Sequence, residues 1–268
     1  MYHRQWIRDG SSDDSSVSDW HMATIAIGDI HGNAKALQDL LGQLAAELTA
    51  TDTVVFLGDY IDRGPDARGC IERILQFRAG TVAKVVTLAG NHEDWLLRSF
   101  SDPTRHSWIL GMDAFATIAS YSAVAAGVLR EALSEAGVRL LTESVELPYA
   151  VFFEAMPAEH VVFLRDLQLF YRSEEAVFVH GGVDWLAGPV EQQSRKTVLW
   201  GCDGFPEAYQ GSDYVVYGHH SNAVLDAAGW PRPLLLPRSI GIDTIAHGVL
   251  TAVEIGGSRM WQSARYPV

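Results

Sequence analysis

The stretch ATIAIGDIHGN (23–33) runs from a continuous apolar segment directly into two glycines that enclose an aspartate and a histidine. A short unbroken apolar run fits a strand covered on both faces, as in a parallel sheet. Asp29 and His31 suit no strand core, and Gly28 and Gly32 admit backbone paths that other residues avoid. Two readings are open at this point: a tight turn, or a metal site.

Outward from this stretch, AKALQDLLGQLAAEL (34–48) places Leu37, Leu40, Leu41, Leu44 and Leu48 at helical spacing. TVVFLG (53–58) predicts a second buried strand and RGCIERILQFR (68–78) a second amphipathic helix. VAKVVTLAG (82–90) predicts a third strand, with a helix after it from about His92. Such alternation implies a parallel sheet covered on both faces. Residues 101–150 are mixed, with Ala-rich helical stretches such as AVAAGVLREALSEAG (123–137). Pro157 opens PAEHVVFLRDL as a helix with proline in its first turn. From EAVFVHGG (175–182) onward strands dominate: DYVVYGHH (213–220), PLLLP (233–237), SIGID (239–243), VLTAVEIG (249–256) and one near SRMWQS. The predicted fold class is α/β, two packed mixed β-sheets flanked by helices. One domain over 23–268 is expected, with a helical insertion at about 100–170 and no internal repeat.

Composition narrows the partners. The 268 residues carry a formal net charge of -13, which argues against attraction to duplex nucleic acid or an anionic membrane. Bound cations could still create a local phosphate site. No apolar stretch approaches the ~20 residues that span a bilayer. Residues 1–22 show no signal-peptide core, and their GSSDDSSVSD segment predicts a flexible lead-in. Cys70 and Cys202 could form at most one bridge, and reduced thiols in a cytoplasmic setting are expected.

The GDIHG ending recurs. VVFLGDYIDRG (54–64) and VVTLAGNHED (85–94) end strands with Gly-Asp and Gly-Asn-His-Glu, while VFVHGG (177–182) and VVYGHH (215–220) end two more with histidines. Ligands bind at the carboxyl ends of strands in α/β sheets, so these five termini are expected to converge. Asp, Asn and His offer oxygen and nitrogen donors without thiolates, a set that suits Mn, Fe or Zn, and Mg less well. Two cations about 3.5–4 Å apart can clamp a phosphoryl group and deprotonate water near neutral pH.

In that order, GDIHGN, GDYIDRG, GNHE, HGG and GH resemble the signature of the phosphoprotein phosphatase family within the calcineurin-like metallophosphoesterases. The similarity is to the bacterial branch of small serine/threonine phosphatases and symmetric diadenosine tetraphosphatases. It extends through VLWGCDGF (198–205) and IGIDTIAHGVLTAVEI (240–255), and is weakest in the insertion. The resemblance implies two divalent metal ions, manganese foremost, in an α/β/β/α sandwich. Asp29, His31 and Asp59 would hold the first, and Asp59, Asn91, His180 and His219 the second. It implies attack on phosphorus by a metal-bridging hydroxide, with His92 protonating the leaving group and Asp62 orienting His92. Arg63 would bind phosphate oxygens.

One departure stands out. The small bacterial phosphatases carry an arginine two residues after the tryptophan of the LW motif, where this chain has Cys202. Arg195 and Lys196 are the nearest stand-ins, with Arg172 and Arg238 also available. His220 and His247 fall beside the implied site, whereas His3, His21, His106 and His160 lack motif context, and Glu93 reads as a helix-start carboxylate. The expected substrate is a phosphorylated protein, a phosphopeptide or a small phosphoester. A serine/threonine-type phosphatase leads, a symmetric dinucleoside tetraphosphatase is the alternative, and a non-catalytic phosphate-binding protein is a third reading.

Overall fold

The computed structural model describes residues 22–267. β1 (Thr24–Ile27) is buried along its whole length and leads through GDIHGN into α1 (Ala34–Ala45), which buries Leu37, Leu40, Leu41 and Leu44. β2 (Thr53–Phe56), α2 (Ala67–Gly80) and β3 (Lys84–Thr87) repeat the unit. Asp66 starts α2 by accepting from the Gly69 main-chain nitrogen at 2.8 Å. α3 (Asn91–Ser101) follows β3. The chain then stays helical through α4 (Ser107–Gly111), α5 (Ala114–Tyr121), α6 (Ala123–Ala136), α7 (Arg139–Thr142), α8 (Ala150–Phe153) and α9 (Ala158–Arg165). Pro157 sits at the cap of α9, one residue before its first turn.

The remainder is strand-rich: β4 (Phe170–Arg172), β5 (Val177–Val179), α10 (Arg195–Trp200), β6 (Val215–Tyr217), β7 (Val224–Leu225) and β8 (Pro231–Arg232). β9 (Leu234–Leu236), β10 (Ser239–Gly241), β11 (Thr251–Ile255) and β12 (Met260–Gln262) complete it. β4, β7 and β8 escape the periodicity. β4 is a half-buried edge of three residues, and β7 exposes both of its own.

One sheet runs β12-β11-β1-β2-β3, the other β4-β5-β6-β10-β9. β1, β2 and β3 are parallel and β11 is antiparallel to β1, so the sheet is mixed. The second sheet has a parallel centre, β5-β6-β10, between antiparallel edges. The two-residue side-chain period sorts the layers. Ala26, Val55 and Val86 face Phe178, Val216 and Ile240 between the sheets. Ile25, Ile27, Val54 and Phe56 pack outward with the buried faces of α1 and α2. Val177, Val179 and Val215 pack with Val198 of α10 on the far side. Helix, sheet, sheet, helix is thus the order of layers. β1, β2 and β3 run the same way, as do β5 and β6, and a 2.9 Å bond between His180, after β5, and the Leu57 carbonyl, after β2, brings the two sets of carboxyl-terminal turns to one rim.

Candidate metal centre

The first two turns are zipped together by main chain. The nitrogens of Ile30 and His31 both donate to the Asp59 carbonyl, at 3.0 and 2.8 Å. Gly64 donates to the His31 carbonyl at 3.0 Å, and a Cβ on Gly64 would strike that oxygen. His31, Asp59, Asp62, Arg63, His219 and His220 all take positive φ, between 44° and 67°. L-residues there are strained by of order 1–3 kcal/mol each, so the surroundings must hold them. Glu93, wholly buried in the first turn of α3, supplies that hold for Asp59. One of its oxygens accepts from Asp59 and Gly90 nitrogens (3.0 and 2.9 Å), the other from Tyr60 and Ile61 (2.8 and 3.3 Å). It is more than the helix-start carboxylate expected from sequence: it clamps the turn that carries Asp59.

Side chains converge on Asp59 Oδ2. His31 Nε2 and His180 Nε2 each lie 3.4 Å from it and His92 Nε2 3.8 Å. Asp59, His31 and His92 form one group whose donor atoms all lie within 4.8 Å of one another; Asp59, His180 and His219 form another. Asn91 Oδ1 sits 2.8 Å from His180 Nε2. His31 Nδ1 bonds the Ile61 carbonyl at 3.0 Å and His180 Nδ1 the Leu57 carbonyl at 2.9 Å. A carbonyl only accepts, so each Nδ1 carries a proton, an arrangement usual for metal-ligating imidazoles. Asp29 lies outside both groups. Both its oxygens accept from the His219 nitrogen, at 3.2 and 3.0 Å, and a Cβ on Gly218 would strike it.

The electrostatics call for positive charge. Burial pushes His180 down, but Asp59 and Asp29 outweigh it and raise its pKa to about 10. Burial also pushes Asp59 up, yet His180, His92 and His31 hold its carboxyl well below the ordinary range. Burial, with Asp243 and Asp59 adding like charge, raises Asp29. Burial and His180 lower His219 to about 2, which keeps it neutral, and its buried Nε2 has no hydrogen-bond partner. Burial likewise takes His31 down to about 3. The neutral imidazoles of His31 and His219, an orphaned ring nitrogen and clustered carboxylates fit divalent cations, which would take the place of the proton on His180.

Beside this cluster, His92 Nδ1 is 2.8 Å from Asp62 Oδ2. Burial opposes the His92 proton, but Asp59 and the Asp62 hydrogen bond raise its pKa overall. Arg63 is exposed next to Asp62. Arg195 turns its Nε to Asp94 of α3, at 2.6 Å, whereas Lys196 lines a groove with Trp200, Cys202, Phe205 and His220. The groove adjoins the centre, since the rings of Trp200 and His220 lie 5.7 and 3.7 Å from that of His219. Arg172 pairs with Glu191 and Asp213, and Arg238 bonds the Ser212 carbonyl. His247 is half-buried in a short helical turn. His106 and His160 bond within the helical stretch, to Val145 and Tyr121. His3, His21 and nearly all of the expected flexible segment lie outside the described residues. Asp243, two residues past β10, accepts from the Ser221 nitrogen at 2.6 Å and sets its charge against Asp29, a neighbour of the cluster that the sequence did not single out. Its place after SIGI, another apolar strand, was the available signal.

Two sheets delivering these turns to one buried Asp–His centre define a metallophosphoesterase, a class of metal-dependent hydrolases of phosphate esters. The chain belongs to the calcineurin-like phosphoesterase family, whose model matches residues 22–222. It is 24% identical over 201 residues to serine/threonine-protein phosphatase 2 of Escherichia coli, covering 72% of this chain and 77% of that protein. It is 26% identical over 242 residues to the asymmetrical bis(5'-nucleosyl)-tetraphosphatase PrpE of Oceanobacillus iheyensis, covering 81% of this chain and 82% of that one. Shorter matches, among them a zinc-dependent endopolyphosphatase of Saccharomyces cerevisiae, take in 23–45% of those proteins' own length. A solved structure provisionally described as a diadenosine tetraphosphatase superposes with a TM-score of 0.57 at 19% identity, over 92% of this chain and 95% of that one, and so shares the fold. No helix among the described residues is long and apolar enough to cross a membrane.

Proposed function

We propose that the chain hydrolyses phosphomonoesters, with phosphoserine or phosphothreonine in a peptide or protein as substrate. The reading rests on Asp59 Oδ2 lying 3.4 Å from both His31 and His180, one carboxylate serving two ligand groups. Asp29, His31 and Asp59 would hold one divalent cation, and Asp59, Asn91, His180 and His219 the other. Manganese suits this oxygen and nitrogen donor set. Bound there, the cations lower the pKa of water and neutralise phosphoryl charge. Arg63 grips phosphate oxygens with its planar fork. Water forms the new P–O bond, the old P–O bond breaks toward the leaving oxygen, and His92 Nε2 supplies that oxygen's proton. Asp62 keeps the His92 ring in place through Nδ1. Cys70 and Cys202, both unpaired thiols, support a reducing, cytoplasmic setting.

Asp203 and Glu207 line the groove beside the centre and oppose a trailing polyphosphate, which favours a monoester. The match to PrpE supports a second reading, a dinucleoside tetraphosphate. Products separate them: inorganic phosphate from a phosphoserine peptide, against nucleotides from the tetraphosphate. Asymmetric cleavage leaves a triphosphate and a monophosphate, and symmetric cleavage two diphosphates. His92→Asn tests the acid, with turnover expected to fall about 10²–10⁴-fold at unchanged metal content. Loss of one metal in that variant would make His92 a ligand instead.

A further inference from the structure

We infer that Trp108 of α4 and Thr117 of α5 are positioning residues that lock the Asp62–His92 pair for proton delivery, an inference that rests on the acid reading of His92. Asp62 stands in a left-handed turn at φ 67°, outside any helix or strand that could brace it. Its carboxylate is nevertheless held on both oxygens. Oδ2 accepts from Trp108 Nε1 at 2.9 Å and faces His92 Nδ1 at 2.8 Å, while Oδ1 accepts from Thr117 Oγ1 at 2.6 Å. Thr117 Oγ1 also accepts from the Asp62 main-chain nitrogen at 2.7 Å, so one hydroxyl grips the residue at two points. Trp108, Thr117 and Asp62 are wholly buried, and His92 is 1% exposed.

A buried indole or hydroxyl needs only some acceptor. Here two donors, from different helices of the segment between β3 and β4, converge on the one carboxylate that holds the proposed acid. Fixing both oxygens fixes the carboxylate plane, and with it the ring that bonds to it. His92 Nε2 then points where Asp59 and the leaving oxygen meet it. Trp108 is itself wedged against Phe152 of α8, their rings 5.4 Å apart, so the helical stretch transmits its rigidity to the acid. In the reaction the leaving oxygen takes the electron pair of the broken P–O bond and the His92 Nε2 proton. Water supplies the oxygen of the inorganic phosphate, and solvent returns a proton to His92.

The test uses metal-loaded full-length chain, with Trp108→Phe, Thr117→Val and, as the conservative rescue, Thr117→Ser. Two aryl phosphates are compared: 2,4-dinitrophenyl phosphate, whose leaving group needs no acid, and phenyl phosphate, whose leaving group does. Expected is a fall of about tenfold or more in kcat for phenyl phosphate. KM and the rate on the dinitrophenyl ester should hold within about twofold in Trp108→Phe and Thr117→Val, and Thr117→Ser should resemble the parent. Equal losses on both esters, or none, overturn the inference. His92→Asn run alongside separates the two levels. If it discriminates between the esters and the two variants do not, only the positioning role falls. If it does not discriminate, the acid reading falls and takes the inference with it. Should Trp108→Phe fail to fold, Thr117→Val and Thr117→Ser carry the decision alone.

Discussion

Glu93→Gln should be among the most damaging single-atom changes available to this chain. The two carboxylate oxygens accept from four main-chain nitrogens, at 3.0 and 2.9 Å (Asp59, Gly90) and at 2.8 and 3.3 Å (Tyr60, Ile61). Glutamine keeps one acceptor oxygen, which can serve one pair. Its amide nitrogen then confronts the other pair, donor against donor. A buried donor left without a partner is destabilising by about 1–3 kcal/mol, so two give about 2–6 kcal/mol. That is a large share of the 5–15 kcal/mol, roughly, of a whole domain. The damage also reaches the site, because the same bonds hold Asp59 at φ 51° and aim its carboxylate at His31 and His180. Urea unfolding should show a lower midpoint with an unchanged slope, and emission spectroscopy less metal per chain. A stability change under about 1 kcal/mol, with full metal occupancy, would refute the clamp.

Three further outcomes follow from the same geometry. Gly90→Ala, whose Cβ would run into the Asp59 carboxylate, should weaken metal binding at least about tenfold, and an unaltered binding isotherm would show that the turn can give way. Chelation should abolish hydrolysis and lower the melting temperature by about 5–10 °C, since a site filled at 100 times its Kd contributes about 2.7 kcal/mol. Re-addition of manganese should restore both, and a melting curve indifferent to chelator would contradict a metal-supported fold at this rim. Cys202→Arg places a guanidinium in the groove beside Trp200 and should raise kcat/KM on phosphomonoesters by about tenfold, or about 1.4 kcal/mol. No gain would mean that Lys196 or another group already fills the role.

The parallel strands, their order of turns and the candidate donors were legible in the chain because each has a local signature. Apolar runs bounded by glycine read as buried strands, and Asp29, His31, Asp59, Asn91, His180 and His219 each stand within three residues of such an end. The leucine stripe of α1 is similarly local. β7 and β8 left no such trace, being two residues long and partly exposed.

What only the tertiary structure decided is which side chains hold the candidate ligands in place. Glu93 reaches back 34 residues to Asp59, Trp108 reaches 46 to Asp62, and Arg195 spans 101 to pair with Asp94 instead of lining the groove. A periodic pattern records which face of an element is buried, because burial acts on every turn or every second residue. A hydrogen bond between distant segments acts on one pair of atoms and imposes no period. It exists only once the sheets and helices have packed.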